Sequence, residues 1–210
     1  MYAPAAFAID DPATLSAIIA RAPLATLVAA GPGGLEAAHL PMLYDAEARV
    51  LTGHLARGNP LAARQGAEAL AVFRGADAYV SPSFYASKPA HGRVVPTWNY
   101  ETVHIHGRLE VFDDPGRLLA VVSALTERFE ADRPQPWAVD DAPEPYIAGL
   151  LRAIVGVRLH VERVDGARKL SQNRDALDRA GVRTGLAASD QQGDRALAAL
   201  METPDEETRA

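Results

Sequence analysis

The sequence predicts an α+β protein that is mainly antiparallel β-structure with helices at its margins. Short runs of apolar and β-branched residues recur along the chain, and turn-forming residues such as Gly31-Pro32-Gly33-Gly34 separate them. Amphipathic helix patterns stand before, between and after these runs. A meander of antiparallel strands is the simplest arrangement, and 210 residues are enough to bury one full core.

The clearest predicted helices follow recognisable start signals. Asp10-Asp11-Pro12 and Asp113-Asp114-Pro115 each place an acidic cap before a proline that suits the first helical turn. The apolar face of the second helix is predicted to consist of Leu118, Leu119, Val122, Leu125 and Phe129. Further helices are predicted at 146–153, 175–188 and 191–201, before a charged tail at 203–210.

The predicted strands are apolar runs bounded by turn residues. Gly75 is expected to break one run in two, and the loop at 82–92 precedes a long strand. The predicted strands are 24–30, 35–44, 49–54, 69–74, 78–81, 93–112 and 154–164.

The stretch 93–107, RVVPTWNYETVHIHG, mixes residue types that an ordinary core strand does not combine. Period-two alternation puts Trp98, Tyr100, Thr102, His104 and His106 on one face. The other face then carries Asn99, Glu101, Val103 and Ile105. Such an aromatic and imidazole face suits stacking on a flat ligand. The alternative is a barrel strand whose polar tips are satisfied internally.

Composition excludes several classes of protein. The chain contains no cysteine, which excludes disulfides, thiolate metal sites and cysteine nucleophiles and fits a cytoplasmic protein. No apolar run is long enough to cross a bilayer, and we expect no export signal at the N-terminus. The net charge of −6 gives no overall attraction to nucleic-acid phosphates.

The segment 54–60, HLARGNP, interrupts the strand pattern. Asn59 suits the cap of a short helix with Pro60 at its first position, running to about Ala67. A strand that opens onto a helix N-terminus beside Arg57 forms either a phosphate cradle or a plain strand–helix junction.

Several motifs together carry a family resemblance. They are MYAPAAF at 1–7, HLP at 39–41, GHLARGNP at 53–60, AYVSPSFY at 78–85, VPTWNYETVHIHG at 95–107 and KLSQNR at 169–174. In this order, over nearly the whole chain, they resemble the PaiB-type proteins, described as FMN-binding negative transcriptional regulators.

The resemblance implies an antiparallel split β-barrel similar to the pyridoxamine-phosphate-oxidase and flavin-reductase superfamily. It implies FMN as cofactor and a homodimer with two flavin sites at the subunit interface. In the best-known bacterial relatives it implies repression of genes for protease production and sporulation. On this basis we expect an FMN-binding split-barrel domain at 1–174 and a C-terminal helical extension at 175–210.

The resemblance also indicates which residues contact the flavin. In split barrels, adjacent strands and the turn after them commonly hold the flavin phosphate and ring edge, which corresponds here to 39–41 and 54–59. Donors to a phosphate would come from His54, Arg57 and Asn59. The expected cofactor-binding residues are His39, Leu40, Pro41, His54, Ala56, Arg57, Asn59, Trp98, Asn99, Tyr100, Lys169 and Gln172.

Two of these assignments have a structural alternative. Trp98 and Tyr100 either stack on the flavin or pack in the dimer interface. Lys169 and Arg174 either neutralise a phosphate or belong to a segment that caps and pins the C-terminal helices. In the second case the polar residues 171–173 suit a buried hydrogen-bond network.

Other chemistries have weaker signals. His104 and His106 stand at i and i+2 on one strand and are weak metal candidates, because a third ligand would be required. Haem ligation by one histidine and a flavin-dependent oxidoreductase acting on a small molecule are the remaining alternatives. The only helix–turn–helix candidate is the C-terminal pair, whose second helix carries Asp190, Asp194, Arg195 and Glu202, a poor surface for phosphates, so we do not expect direct DNA binding.

Overall fold

A computed structural model describes residues 1–201. The strands are β1 (Ala8–Ile9), β2 (Leu24–Gly31), β3 (Gly34–Pro41), β4 (Leu43–Asp45), β5 (Val50–Ala56), β6 (Glu68–Val80), β7 (Thr97–Phe112) and β8 (Ile154–Lys169). The α-helices are α1 (Pro12–Arg21), α2 (Lys88–His91), α3 (Pro115–Glu130), α4 (Glu144–Leu151), α5 (Ala176–Ala187) and α6 (Gln192–Leu200). Short 3-10 helices occupy Pro60–Ala63, Pro82–Phe84 and Val139–Asp141.

The strands form one eight-stranded sheet in the order β3-β2-β6-β7-β8-β5-β4, and β1 pairs with β8. The pairings with an assigned register, such as β2 with β3 and β5 with β8, are antiparallel. The prediction of antiparallel strands with flanking helices is therefore confirmed. No helix among residues 1–201 has the length and apolar character that crossing a membrane requires.

By its internal contacts the chain divides into two units. The first comprises Met1–Asp11, Arg74–Thr102 and, of the described residues, 165–201; the second comprises Pro12–Phe73 and Val103–Val164. β6, β7 and β8 each contribute residues to both. The domain limits expected from the sequence, 1–174 and 175–210, come from the family resemblance and not from internal contacts, so they stay a prediction. The predicted tail at 203–210, and Glu202 before it, lie outside the described residues.

In the first unit, α5 and α6 complete a hydrophobic core. Val182, Leu186 and Leu197 are fully buried there, together with Val80 and Leu170. Asp175 begins α5 as predicted, because its side chain accepts a hydrogen bond from the Asp178 backbone N–H. The two C-terminal helices are thus part of the packing of this unit.

In the second unit, β2 shows the expected alternation, with Ala25, Leu27 and Ala29 buried. Asp114 caps α3 by accepting a hydrogen bond from the Arg117 N–H, as the sequence predicts.

The predicted apolar face of α3 is partly wrong. Leu118 and Leu125 are buried, but Val121 completes the buried face, while Leu119 and Phe129 are 42% and 41% exposed. The buried stripe is rotated from the one predicted, because packing against Phe112 selects the 118, 121 and 125 positions.

Five of the predicted strands need correction. The strand predicted at 93–112 begins only at Thr97. The single strand at 35–44 is two strands, because the Met42 N–H donates to Pro23 O (3.0 Å) between them. The two strands at 69–74 and 78–81 are one, β6. Gly75 does not break it: a Cβ there would lie 2.6 Å from Glu101 Cγ, so glycine permits a close approach. β8 continues past Val164 because residues 166–167 pair with β1.

The loops are more ordered than expected, and one helix is shorter. Residues 82–92 contain a 3-10 turn and α2 rather than an irregular loop. The helix predicted from Asn59 to about Ala67 is a single 3-10 turn, Pro60–Ala63. Gly66 follows it with a φ of 75°, a conformation that ends helical structure.

Candidate functional site

In the second unit, the end of β3 lies against β5. Gly53 marks the contact, because a Cβ at this position would be 2.7 Å from Pro41 O. His39 is exposed, and its Nδ1 is 3.1 Å from Thr26 Oγ1, while Leu40 is buried. The structure thus brings together the two motifs HLP and GHLARGNP. Leu40 faces the core, so only its backbone is open to a role in binding.

His54 is the unusual residue of β5. It pairs with Gly156 of β8, and its Nδ1 is buried without a hydrogen-bond partner among the described residues. Burial lowers the pKa of this imidazole below its ordinary value of 6.5, so His54 is neutral at physiological pH. A neutral ring with an unused polar atom suits a neutral donor or acceptor better than a phosphate.

Arg57 is already bound by its own unit. Its Nε donates to Arg152 O (2.9 Å) and its NH2 group donates to Ile154 O (3.1 Å). Only the pairing with Asp113, at 3.4 Å between exposed side chains, is loose. A phosphate could therefore compete for one edge of the guanidinium, since an exposed ion pair contributes little.

Asn59 uses its side-chain oxygen to accept a hydrogen bond from the Leu61 N–H (3.0 Å). The 3-10 helix that it caps has four residues, too short for a useful helix dipole. The predicted cradle therefore loses its helix component and retains the Arg57 edge, the Asn59 amide and the backbone after the exposed Ala56.

In the first unit, Trp98 forms the centre of an exposed aromatic surface. Its side chain is 50% exposed and its Nε1–H donates to Asp77 Oδ1 (2.9 Å). Tyr79, 49% exposed, packs edge-to-face against the indole with ring centroids 6.1 Å apart. We refer to Asp77, Tyr79, Trp98 and Lys169 as the Trp98 platform.

Lys169 is the cation of the platform. Its Nζ donates to Thr97 Oγ1 (2.5 Å) and to Trp98 O (3.0 Å), which leaves one N–H of the ammonium group for another acceptor. Partial burial, with a contribution from the positive charge of Arg174, lowers the pKa of Lys169 below its ordinary value.

The neighbouring polar residues form a hydrogen-bond network. Asn99 is fully buried, and its Nδ2 donates to Ser171 Oγ (2.9 Å). Gln172 accepts from the Leu170 N–H (2.6 Å) and donates to Arg168 O (2.5 Å). These are the contacts expected if the segment 171–173 takes part in a hydrogen-bond network. The side chains of Asn99 and Gln172 therefore fix the backbone on either side of Lys169. Tyr100 is half-buried.

Arg174 contacts Tyr85 rather than an anion among the described residues. Its guanidinium carbon lies 4.8 Å from the centroid of the Tyr85 ring. This cation–π contact joins the KLSQNR segment to the segment that precedes α2.

Sequence reasoning missed Asp77 and Tyr79. Both stand on β6 at i and i+2, so they share a face of the strand. The polar–aromatic alternation in DAY was a usable signal, but the predicted break at Gly75 concealed it.

The burial of β7 follows the predicted alternation except at Thr102, which was expected on the open face and is buried. Asn99, Glu101, Val103 and Ile105 are buried, and His104 and His106 are half-exposed. Within residues 1–201, no group of three or more His, Asp or Glu side chains is arranged to hold a metal ion. The two histidines therefore gain no third ligand in the part of the chain that the structure describes.

Comparison with known proteins identifies related sequences. Residues 1–163 match the family model described as "Putative FMN-binding domain". Protease synthase and sporulation protein PAI 2 of Bacillus subtilis is 30% identical, over 96% of this chain and 97% of that protein. An uncharacterized protein of Aspergillus fumigatus is 34% identical, over 72% of this chain and 76% of the relative.

Solved structures share the fold. The FAD and heme binding protein from Mycobacterium smegmatis superposes with a TM-score of 0.59 at 20% identity, covering 82% of this chain and 78% of that one. The flavocytochrome Anf3 from Azotobacter vinelandii gives 0.58 at 16% identity, with coverages of 82% and 74%. The predicted fold, an antiparallel β-structure with flanking helices, is confirmed, and these two proteins share it.

Proposed function

We infer that this chain, which belongs to the FMN-binding domain family, is a flavoprotein that stacks the flavin ring on the Trp98 platform. FMN is the ligand of the matched family. The observation that supports the site is the orientation of Trp98: a half-exposed indole held by Asp77 and Tyr79 presents a flat apolar face at little entropic cost. Bound FMN supplies one- and two-electron redox chemistry.

The platform has the donor chemistry that a flavin ring requires. The ring has an aromatic face and carbonyl oxygens at one edge, and the platform offers an indole face and the remaining N–H of Lys169. Because partial burial strengthens electrostatic interactions, the Lys169 ammonium favours negative charge at an acceptor that it contacts.

A separate set of residues, in the second unit, suits a phosphate group. We propose that the exposed edge of Arg57 and the amide group of Asn59 donate to phosphate oxygens. The weak Arg57–Asp113 pair supports this role, since a phosphate dianion attracts a guanidinium more strongly than one exposed carboxylate does.

An FMN titration tests the ring assignment. We expect Trp98→Ala to raise the dissociation constant about tenfold or more, because stacking of a planar base on an aromatic side chain is worth about 1–3 kcal/mol. The measurement is quenching of FMN fluorescence, with the mass of the protein followed by light scattering.

Tyr2→Ala serves as the matched control, because Tyr2 is an aromatic residue of the same unit and is 89% exposed. It should bind FMN as the parent protein does. If Trp98→Ala binds with unchanged affinity, the ring does not stack on Trp98. If the variant dissociates into monomers instead, Trp98 belongs to the dimer interface.

The biological role that we propose is negative regulation of gene expression by a cytoplasmic homodimer. The relation to PAI 2, whose name links it to protease synthesis and sporulation, supports this role. We propose that the chain acts without contacting DNA, because the net charge is −6 and α6 carries Asp194 in its first turn.

Electrophoretic mobility shifts of genomic fragments, measured at several salt concentrations, test this role. We expect at most a weak, sequence-independent retardation that disappears as salt rises. A shift confined to particular fragments and retained at physiological salt would show direct operator binding and would contradict the indirect mechanism.

A further inference from the structure

A large cleft in the second unit has no part in the proposed flavin site. It has a volume of about 880 Å³ and lies between α3, the 3-10 turn Val139–Asp141 and α4. This volume is within the range of small-molecule sites, about 300–1,000 Å³. None of the residues proposed to contact FMN lines it.

The walls of the cleft are mainly apolar and include an aromatic ring. Leu119, Trp137 and Ile147 line it from three segments of the chain, and Trp137 is 45% exposed. Leu119, which lines the cleft from α3, is 42% exposed, and no residue of α4 is buried. The apolar surface at this cleft is therefore open to a ligand.

The charged residues that line the cleft all have the same sign. They are Glu127, Glu130, Asp140 and Glu144, and no lysine, arginine or histidine stands among the lining residues. Glu130 accepts a hydrogen bond from the Trp137 N–H (3.2 Å), which fixes the backbone that presents the indole. The other three carboxylates have no hydrogen bond or ion pair with any residue of 1–201.

We propose that this cleft binds a small organic cation, one with an apolar body and an ammonium group. Trp137 provides the ring over which such a cation is attracted, and the carboxylates provide the compensating charge. Leu119 and Ile147 provide the surface for the apolar body. The same four carboxylates repel the phosphate of FMN, so the ligand of this cleft differs from the cofactor.

Isothermal titration calorimetry of the FMN-loaded full chain tests the proposal with three probes that share a phenylpropyl body. The probes are 3-phenylpropyl-trimethylammonium, its uncharged isostere with carbon in place of nitrogen, and the anion 4-phenylbutanoate. We expect the cation to bind at least about tenfold more tightly than the isostere, and the anion to give no measurable heat. The affinity of the cation should fall as salt rises.

Variants locate the binding. Glu127→Gln with Glu144→Gln should weaken the cation about tenfold and leave the isostere unchanged, because the substitutions remove charge and little volume. Trp137→Ala should weaken both. Glu47→Gln is the matched control, because Glu47 is an exposed carboxylate in the same unit that does not line the cleft. Its binding of the cation should equal that of the parent.

Three results would overturn the proposal. Equal affinity for the cation and the isostere would mean that the charge is not recognised. Unchanged cation binding by the Glu127/Glu144 double variant would place the site elsewhere. Loss of cation binding as protein concentration rises, together with an increase in mass by sedimentation, would show that a second copy of the chain covers the cleft.

Discussion

Asp178 shows how one buried carboxylate fixes a segment of the first unit. Its oxygens accept hydrogen bonds from the Ser87 N–H (2.9 Å) and the Ser87 hydroxyl (2.8 Å). The backbone hydrogen bond is the main cause that lowers the pKa of Asp178, and the Ser87 hydroxyl, Arg174 and His91 act in the same direction against the effect of burial. The contact joins α5 to the segment that leads into α2.

Asp178→Ala should lower the free energy of unfolding by about 2 kcal/mol, the size expected for loss of a buried hydrogen-bonded charge. A carboxyl whose pKa is lower in the folded state stabilises the fold above its ordinary pKa, here 3.8. The difference between parent and variant should therefore be full at neutral pH and shrink as the pH falls below 3.8 through the folded-state value.

Urea unfolding at a series of pH values measures this difference. Asp190→Ala is the matched control, since Asp190 is an exposed aspartate in the same unit, and it should change the unfolding free energy little. A difference between parent and Asp178→Ala that is independent of pH through the acid range would contradict the role of the ionised carboxylate.

Only part of the candidate site could be predicted from the sequence. The alternation in 93–107 predicts the buried face that carries Asn99, Glu101, Val103 and Ile105, because one face of the strand must pack against the core, but it misses Thr102, which is buried on the other face. The engagement of Arg57 by Arg152 O and Ile154 O could not be predicted, because it joins positions about a hundred residues apart. Asp77 was missed for another reason: the predicted break at Gly75 hid the strand on which Asp77 stands, and with it the hydrogen bond to Trp98.

At the scale of elements, helix starts were predictable and strand limits less so. Asp114 caps α3 as expected, because capping depends on a few neighbouring residues, and Asp175 caps α5 at the start of the helix predicted over 175–188. The continuity of β6 through Gly75 depends on the Glu101 side chain beside it, which local propensity does not include. The buried face of α3 likewise depends on its packing against Phe112, which the helix sequence alone does not reveal.

One element contradicts the site as first predicted. The 3-10 turn Pro60–Ala63 is too short to provide the helix N-terminus on which the phosphate cradle depended. The proposed phosphate contacts consequently rely on side chains, mainly Arg57, and not on a helix dipole. The motif GHLARGNP suggests a phosphate site with a helix N-terminus, but the structure leaves only side chains and backbone groups to bind the phosphate.

At the scale of the whole molecule, the family match and the shared fold extend over most of the chain. The family model covers residues 1–163, and the fold is shared with flavin-binding and haem-binding proteins of known structure. The first unit provides the Trp98 platform, and the second provides the cleft between α3 and α4. We therefore propose two sites: the Trp98 platform for the anionic cofactor FMN, and the cleft for an organic cation.

The visible absorption spectrum of the protein, purified without added cofactor and again after incubation with FMN and removal of the excess, tests the central claim most directly. We expect flavin absorption bands in at least the incubated sample. Denaturing that sample should release a chromophore with the mass of FMN. The absence of flavin bands from both samples, or a Soret band that marks haem in their place, would contradict the assignment of this chain as an FMN-binding flavoprotein.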